Sequence, residues 1–251
     1  MRSRVETGIT GLDELLNGGF PAGGTYAIVG GCGTGKSILC MQFLYNGAIK
    51  FNEPGVYILL EEEKERMMSN MSGFGWEIER LEKENMLKIV PYTKSLLGDI
   101  DATFDKNMVD GDTDRINQLR QNLTMDSLFK EVEHNCQKTG AKRVVIDSLT
   151  VITLLTSTQL MARMHLLWFI EKLRKLNITT LVTIEEGVGY WSDALFLLDG
   201  IVYMMLKERG GIMERGIVVE KLRGTPHDTG VRPFKIASDG IRVYPREVIA
   251  R

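Results

Sequence analysis

Thr25-Tyr26-Ala27-Ile28-Val29-Gly30-Gly31-Cys32-Gly33-Thr34-Gly35-Lys36-Ser37 decides the fold. Its first five residues are apolar and β-prone, as in a buried strand. The last eight, residues 30–37, match the G-x-x-x-x-G-K-[ST] pattern of a phosphate-binding loop. The glycines let the backbone curl so that successive N–H groups face phosphate oxygens. Backbone groups of Gly31, Cys32, Gly33, Thr34, Gly35, Lys36, Ser37 and Ile38 form the candidate cradle. Lys36 is placed to reach the terminal phosphates, and Ser37 offers a hydroxyl to magnesium. Apolar residues at Ile38, Met41, Leu44, Tyr45 and Ala48 then recur at helical spacing. That helix would point its positive N-terminal end at the same anion. A strand, a loop and a helix in this order predict a nucleoside triphosphate with magnesium.

The rest of the chain supplies a sheet for this unit. Residues 55–60, 87–90, 143–148 and 179–184 read as buried strands. Helical spacing predicts helices over residues 64–72, 78–83, 125–138 and 158–176, with Gly140 ending the third. Thr10 and Asp13 read as a capping box for a short helix over residues 12–16. After residue 200 the rhythm changes: strands at 201–206, 216–222, 234–237 and 241–244 are joined by short links. Short links suit antiparallel pairing. The expected fold is α/β, a mostly parallel twisted sheet flanked by helices with an antiparallel C-terminal extension. Residues 1–251 read as one domain. Residues 92–123 read as an acidic, loop-rich insertion carrying Asp99, Asp101, Asp105, Asp110, Asp112 and Asp114. Their spacing does not fit a calcium loop.

Bulk properties narrow the class. The chain has 31 basic and 33 acidic residues, a net charge of −2, which makes no electrostatic case for nucleic acid or an anionic membrane. No apolar run has the length of a membrane span, and the basic start lacks a signal peptide's apolar stretch, so a cytoplasmic protein is expected. Cys32, Cys40 and Cys136 match no metal spacing, and neither do His134, His165 and His227. Reduced thiols fit the same compartment. Cys32 reads as a small residue at a permissive loop position, with a redox-sensitive thiol near a helix N-terminus as the alternative.

Two further groups carry candidate chemistry. Asp147 ends the apolar strand at 144–147 and is placed as a Walker B acid, holding magnesium opposite Ser37. Glu61 and Glu62 end the strand at 55–60, and strand C-termini line the ligand crevice of an open α/β sheet. A carboxylate there suits polarising a water for attack on the γ-phosphate. Four acids among residues 61–65 suit a solvated charge run equally well.

Larger motifs then become specific. Thr7-Gly8-Ile9, Gly11-Leu12-Asp13-Glu14-Leu15-Leu16 and Gly18-Gly19-Phe20-Pro21 resemble the opening of RecA-superfamily ATPases. Glu61-Glu62, Phe74-Gly75-Trp76, Asp147-Ser148, Thr179-Thr180 and Lys221-Leu222-Arg223-Gly224-Thr225 narrow this to a resemblance to KaiC-type ATPase domains. The segment 236–245 has the same look. The resemblance runs from Val5 to Pro245, weaker at residues 92–123 and 187–198, and covers one such domain.

The resemblance implies ATP as the nucleotide and a homo-oligomeric, hexameric ring with ATP between subunits. It implies Glu61 and Glu62 as the catalytic pair beside Lys36, with one of them positioning the lytic water. It also implies that Lys221, Leu222, Arg223, Thr225 and His227 reach a neighbour's nucleotide. Read without it, Lys221 and Arg223 are solvent-facing charges on one strand face, and His227 is a loop hydrogen-bonder. The adjacent Ser-Thr pair used for autophosphorylation in this family is missing: Ser192 is the one such residue between Glu186 and Lys221. The chain therefore looks like the hydrolysing type rather than the autokinase. Hydrolysis driving signalling or protein-assembly regulation, with unnamed protein partners, is the first functional reading. A DNA-handling recombinase or helicase-type ATPase is the alternative. Residues 187–198 correspond to a DNA-contacting loop of such motors but hold no Lys or Arg, which disfavours it. Tyr190 and Trp191 suit base stacking or packing on a neighbouring subunit.

Overall fold

The computed structural model describes residues 3–92, 124–150, 158–188 and 195–249. The acidic insertion beyond Tyr92 and the residues Tyr190, Trp191 and Ser192 lie outside them.

Among the described residues nine strands form one sheet, and six of them are parallel. In chain order a short ribbon comes first, β1 (Arg4–Val5) paired with β2 (Phe20–Pro21) around helix α1 (Leu12–Leu15). The sheet strands are β3 (Thr25–Gly30), β4 (Gly55–Leu59), β5 (Leu87–Pro91), β6 (Arg143–Asp147) and β7 (Thr179–Glu185), then β8 (Gly200–Arg209), β9 (Ile212–Leu222), β10 (Arg232–Ala237) and β11 (Gly240–Val243). Their spatial order is β11-β10-β9-β8-β3-β7-β6-β4-β5. The strands from β8 to β5 are parallel, and β8 to β11 run antiparallel by hairpins.

Helices α2 (Lys36–Phe51), α3 (Lys64–Met71) and α4 (Ile78–Lys83) cover one face, together with α1. Helices α5 (Met125–Thr139) and α6 (Gln159–Leu176) cover the other. Strand alternation sorts the side chains between the two cores. Ile28, Tyr57, Leu59, Val145 and Leu181 join the α2 side, while Ala27, Val56, Ile58, Ile146 and Val182 join the α5–α6 side. The apolar runs read as strands are continuous because both faces are buried.

Helix ends follow their chemistry. Thr124 and Ser127 form a reciprocal capping box at α5, Thr158 caps α6, and Gly140 closes α5 in the left-handed region (φ 66). The box expected at Thr10 and Asp13 does not form. Gly11, in the left-handed region, takes the N-cap place of α1. The Asp13 carboxylate instead accepts from the backbone N–H groups of Thr7 (2.8 Å) and Gly8 (3.0 Å). It serves the preceding loop, whose donors have no other strand or helix to satisfy them.

Two long-range anchors fix α2. Arg143, 1 % exposed at the start of β6, donates to Phe43 O (3.0 Å) and pairs with Glu53 (2.6 Å), its guanidinium lying over the Phe43 and Phe51 rings. A side chain at Gly47 would meet it at 2.5 Å, so that turn of α2 has to be glycine. One residue before Phe43, Gln42 accepts from Ile241 N (2.7 Å) and donates to Ile241 O (3.3 Å), joining α2 to β11.

Candidate nucleotide-binding site

Sheet register brings the expected residues to one edge. Gly30 ends β3 opposite Glu185 of β7 and Met204 of β8. Asp147 is opposite Leu59 at the end of β4, and Ile146 is opposite Val182. The C-terminal ends of four parallel strands thus surround the start of α2, the usual ligand crevice of an open α/β sheet.

The loop itself is dictated by close approach. A Cβ on Gly30 would lie 2.3 Å from Met204 O. Gly33 and Gly35 take φ of 75° and 101°, and Gly35 starts the helix without a side-chain cap. The N–H groups of the first turn therefore have no side-chain acceptor, as an anion cradle requires. Thr34 turns inward, its hydroxyl donating to Gly31 O (2.9 Å). Lys36 Nζ lies across the loop, donating to Gly30 O (2.8 Å) and Gly31 O (2.9 Å). Cys32 is exposed at the loop tip, and Ile38 packs at the margin of the α2-side core.

Asp147 is held from both sides. Tyr57 Oη donates to Oδ2 and Thr183 Oγ1 to Oδ1, each at 2.5 Å. Ser37 stands beside the Tyr57 phenol. Burial first, then the Asp147 charge, raises the Tyr57 phenol well above its usual range, so it stays protonated and donates. Burial likewise keeps the Cys40 thiol protonated, with Asp147 adding to the effect and Lys36 opposing it. The Asp147–Ser148 peptide is cis.

Glu61 and Glu62 follow β4 but face different company. Glu61 lies beside Ser148 and feels the charges of Asp147, Glu185 and Lys36. Its side chain reaches solvent, yet desolvation first and then the Asp147 and Glu185 charges raise its carboxyl above the ordinary range. A carboxylate in that position suits a base. Glu62 accepts from Asn70 Nδ2 (2.8 Å) and lies 3.5 Å from Arg66. Desolvation raises its carboxyl too, and Arg66 opposes the shift.

Ser37 and Asp147 are hard oxygen donors of the kind magnesium takes, and they fit it as two protein ligands that leave room for phosphate and water. Among the described residues there is no cluster of three or more His, Cys, Asp or Glu able to cage an ion.

The segment from Lys221 to His227 is not brought to this edge. Leu222 pairs with Gly200, and Gly200 with Tyr26, four residues before Gly30 along β3. Four strand residues span about 13 Å. The cations also point elsewhere: Lys221 Nζ donates to Phe196 O (2.6 Å) and Leu198 O (2.8 Å), and Arg223 to Phe196 O (2.7 Å). Arg174 joins them through Asp199 (2.9 Å). Desolvation and then Arg223 lower the Lys221 ammonium below its usual range. Leu222 is 4 % exposed and part of the core, so only its backbone is free to meet a ligand. Thr225 Oγ1 and His227 Nε2 are buried without a hydrogen-bond partner among the described residues, while His227 Nδ1 contacts Thr225 O (3.0 Å).

Tyr57 and Thr183 were not singled out by sequence reasoning. A hydroxyl inside a fully buried strand was the available signal, because buried polar groups find partners.

Comparison with known proteins places this edge in context. The family described as ATPase: KaiC matches residues 5–248. A UPF0273 protein of Thermotoga maritima is 37 % identical over 251 residues, covering 98 % of each chain. One from Methanocaldococcus jannaschii is 35 % identical over 250 residues, again 98 % of each. The circadian clock oscillator protein KaiC of Parathermosynechococcus lividus is 33 % identical over 96 % of this chain, which spans 42 % of that protein. The crystal structure of a KaiC-like protein from Pyrococcus horikoshii superposes with a TM-score of 0.79 at 32 % identity, covering 98 % of this chain and all of that one.

Proposed function

The chain belongs to the KaiC family of RecA-like ATPases, and from that premise we propose a magnesium-dependent ATP hydrolase whose sites are completed by a neighbouring copy. Magnesium bound at Ser37 and Asp147 would neutralise charge on the phosphates. Lys36 leaves its loop carbonyls for the terminal phosphates. Glu61 accepts a proton from water as the water oxygen bonds to the γ-phosphorus. The bond from that phosphorus to the β–γ bridging oxygen breaks, releasing ADP. Lys221 and Arg223 stabilise charge on the transferring group from outside the chain.

The observation that carries the shared site is the separation just described. The two cations sit at the far end of β3 and face away from the chain's own loop. Orphaned polar atoms on Thr225 and His227 support a contact the single chain does not make. The ring closes on one domain per chain in this reading, as a hexamer. Three free thiols support a cytoplasmic location. The near-neutral charge and the cation-free segment 187–198 favour protein assemblies over DNA as what the cycle serves.

Mixing decides it. Lys36→Ala chains lack a working loop, and Arg223→Ala chains lack a donated cation. Mixed assemblies should recover ATPase activity that neither shows alone. No recovery in confirmed mixed assemblies rejects shared sites. Salt-resistant single-strand DNA binding that stimulates turnover would move the function to DNA handling.

A further inference from the structure

We propose that Tyr57 is a positioning residue that sets the span between the two magnesium-facing groups, with its phenol standing between Ser37 and Asp147. The inference rests on the reading of the site as a magnesium–nucleotide centre. Tyr57 lies mid-strand in β4, wholly buried, on the face that also carries Asp147, Thr183 and α2. Its hydroxyl donates to Asp147 Oδ2 (2.5 Å), and Ser37 stands beside it. Thr183 takes the other carboxylate oxygen, so neither oxygen of Asp147 is free to swing.

The donor–acceptor count makes the role specific. A phenol donates one hydrogen and accepts through its lone pairs. Its hydrogen goes to Asp147, which leaves the oxygen to accept the Ser37 hydroxyl hydrogen. A serine oxygen used as a metal ligand keeps its hydrogen and needs an acceptor for it. Tyr57 provides that acceptor while fixing the carboxylate. Phenylalanine would fill the same volume in the α2-side core and supply neither bond. Partners one step behind the ligands tune metal sites in this way.

Nucleotide affinity, read with a fluorescent ATP analogue across a magnesium titration and again in EDTA, tests this. Tyr57→Phe should raise the magnesium concentration at half-effect about tenfold and leave affinity in EDTA unchanged. An unchanged titration overturns the proposal, and so does equal weakening with and without magnesium, which is the mark of a packing role. A double-mutant cycle covers a variant that is poorly stable. On an Asp147→Asn background, removing the phenol should shift the titration less than on the wild type, and a fully additive shift overturns the proposal. Wild-type protein whose nucleotide affinity ignores magnesium overturns both this inference and the reading beneath it. A magnesium response in wild type that Tyr57→Phe leaves untouched removes this inference alone.

Discussion

The two ends of β3 hold their cations in the same manner and for opposite purposes. At the C-terminal end Lys36 lies on the carbonyls of Gly30 and Gly31. At the N-terminal end Lys221 and Arg223 lie on the carbonyls of Phe196 and Leu198. The first end adds what a phosphate needs from its own chain: left-handed glycines, free amides and the carboxylates Glu61 and Asp147. The second adds Asp199 and Glu171, both paired with Arg174, and among the described residues leaves Lys221 and Arg223 on neutral carbonyls. One end is a pocket short of transition-state cations, and the other is a cluster of cations short of an anion. Their complementarity, read across copies rather than within one, is the physical content of the proposed ring.

The strongest way to break this comparison is to remove the second end. Arg223→Ala should lower turnover by about 10³-fold or more, as for other arginines supplied in trans. Nucleotide binding by the isolated chain should hold. Loss of binding together with turnover would make the cation a cis residue. Glu61→Gln tests the first end and should cost about 10²–10⁴-fold in kcat with binding retained. Turnover equal to wild type would remove Glu61 as the base.

The frame joining the ends comes next. Arg143→Ala leaves Glu53 unpaired and a void between two aromatic rings, and should cost about 3–5 kcal/mol by chemical denaturation. A change under about 1 kcal/mol would mean that α2 holds its place without this anchor.

A smaller effect sharpens the electrostatics of the first end. Glu61 acts as a base only when deprotonated, and its carboxyl is raised, so turnover should fall on the acid side above the usual carboxylate range. Glu185→Gln removes one of the raising charges and should move that limb to lower pH. An upward or absent shift contradicts the assignment. Smallest of all, Thr158→Ala should cost about 1 kcal/mol of stability as a lost cap, with turnover per folded chain unchanged.

The first end was legible in the sequence because its information is local. Gly30 to Ser37 carries its own geometry, and the strand before it and the helix after it complete the context. Asp147 was legible as an acid ending an apolar strand. Its holders were not, because Tyr57, Thr183 and Asp147 come from three strands, and only register sets Thr183 beside Asp147 and Tyr57 two residues below it. Spacing left Glu61 and Glu62 open, whereas the fold separates them: one faces Ser148 and Asp147, the other turns to Asn70 and Arg66. Thr10 was misread because a Thr with an acid three residues on resembles a cap. The Asp13 carboxylate was needed by the loop at Thr7 and Gly8, and a left-handed glycine took the cap position instead. At the second end the residues were recognisable only through likeness. Their carbonyl platform at Phe196 and Leu198 lies more than twenty residues away in the chain.

Gln42 has a consequence outside catalysis. Its amide presents one acceptor and one donor to Ile241, the same pair of groups a further strand would present. The β11 border of the sheet therefore meets an imitation peptide supplied from within. A bare border is an invitation to uncontrolled polymerisation through backbone pairing. Gln42 helps keep that border occupied, which disfavours strand-to-strand addition between copies of this chain.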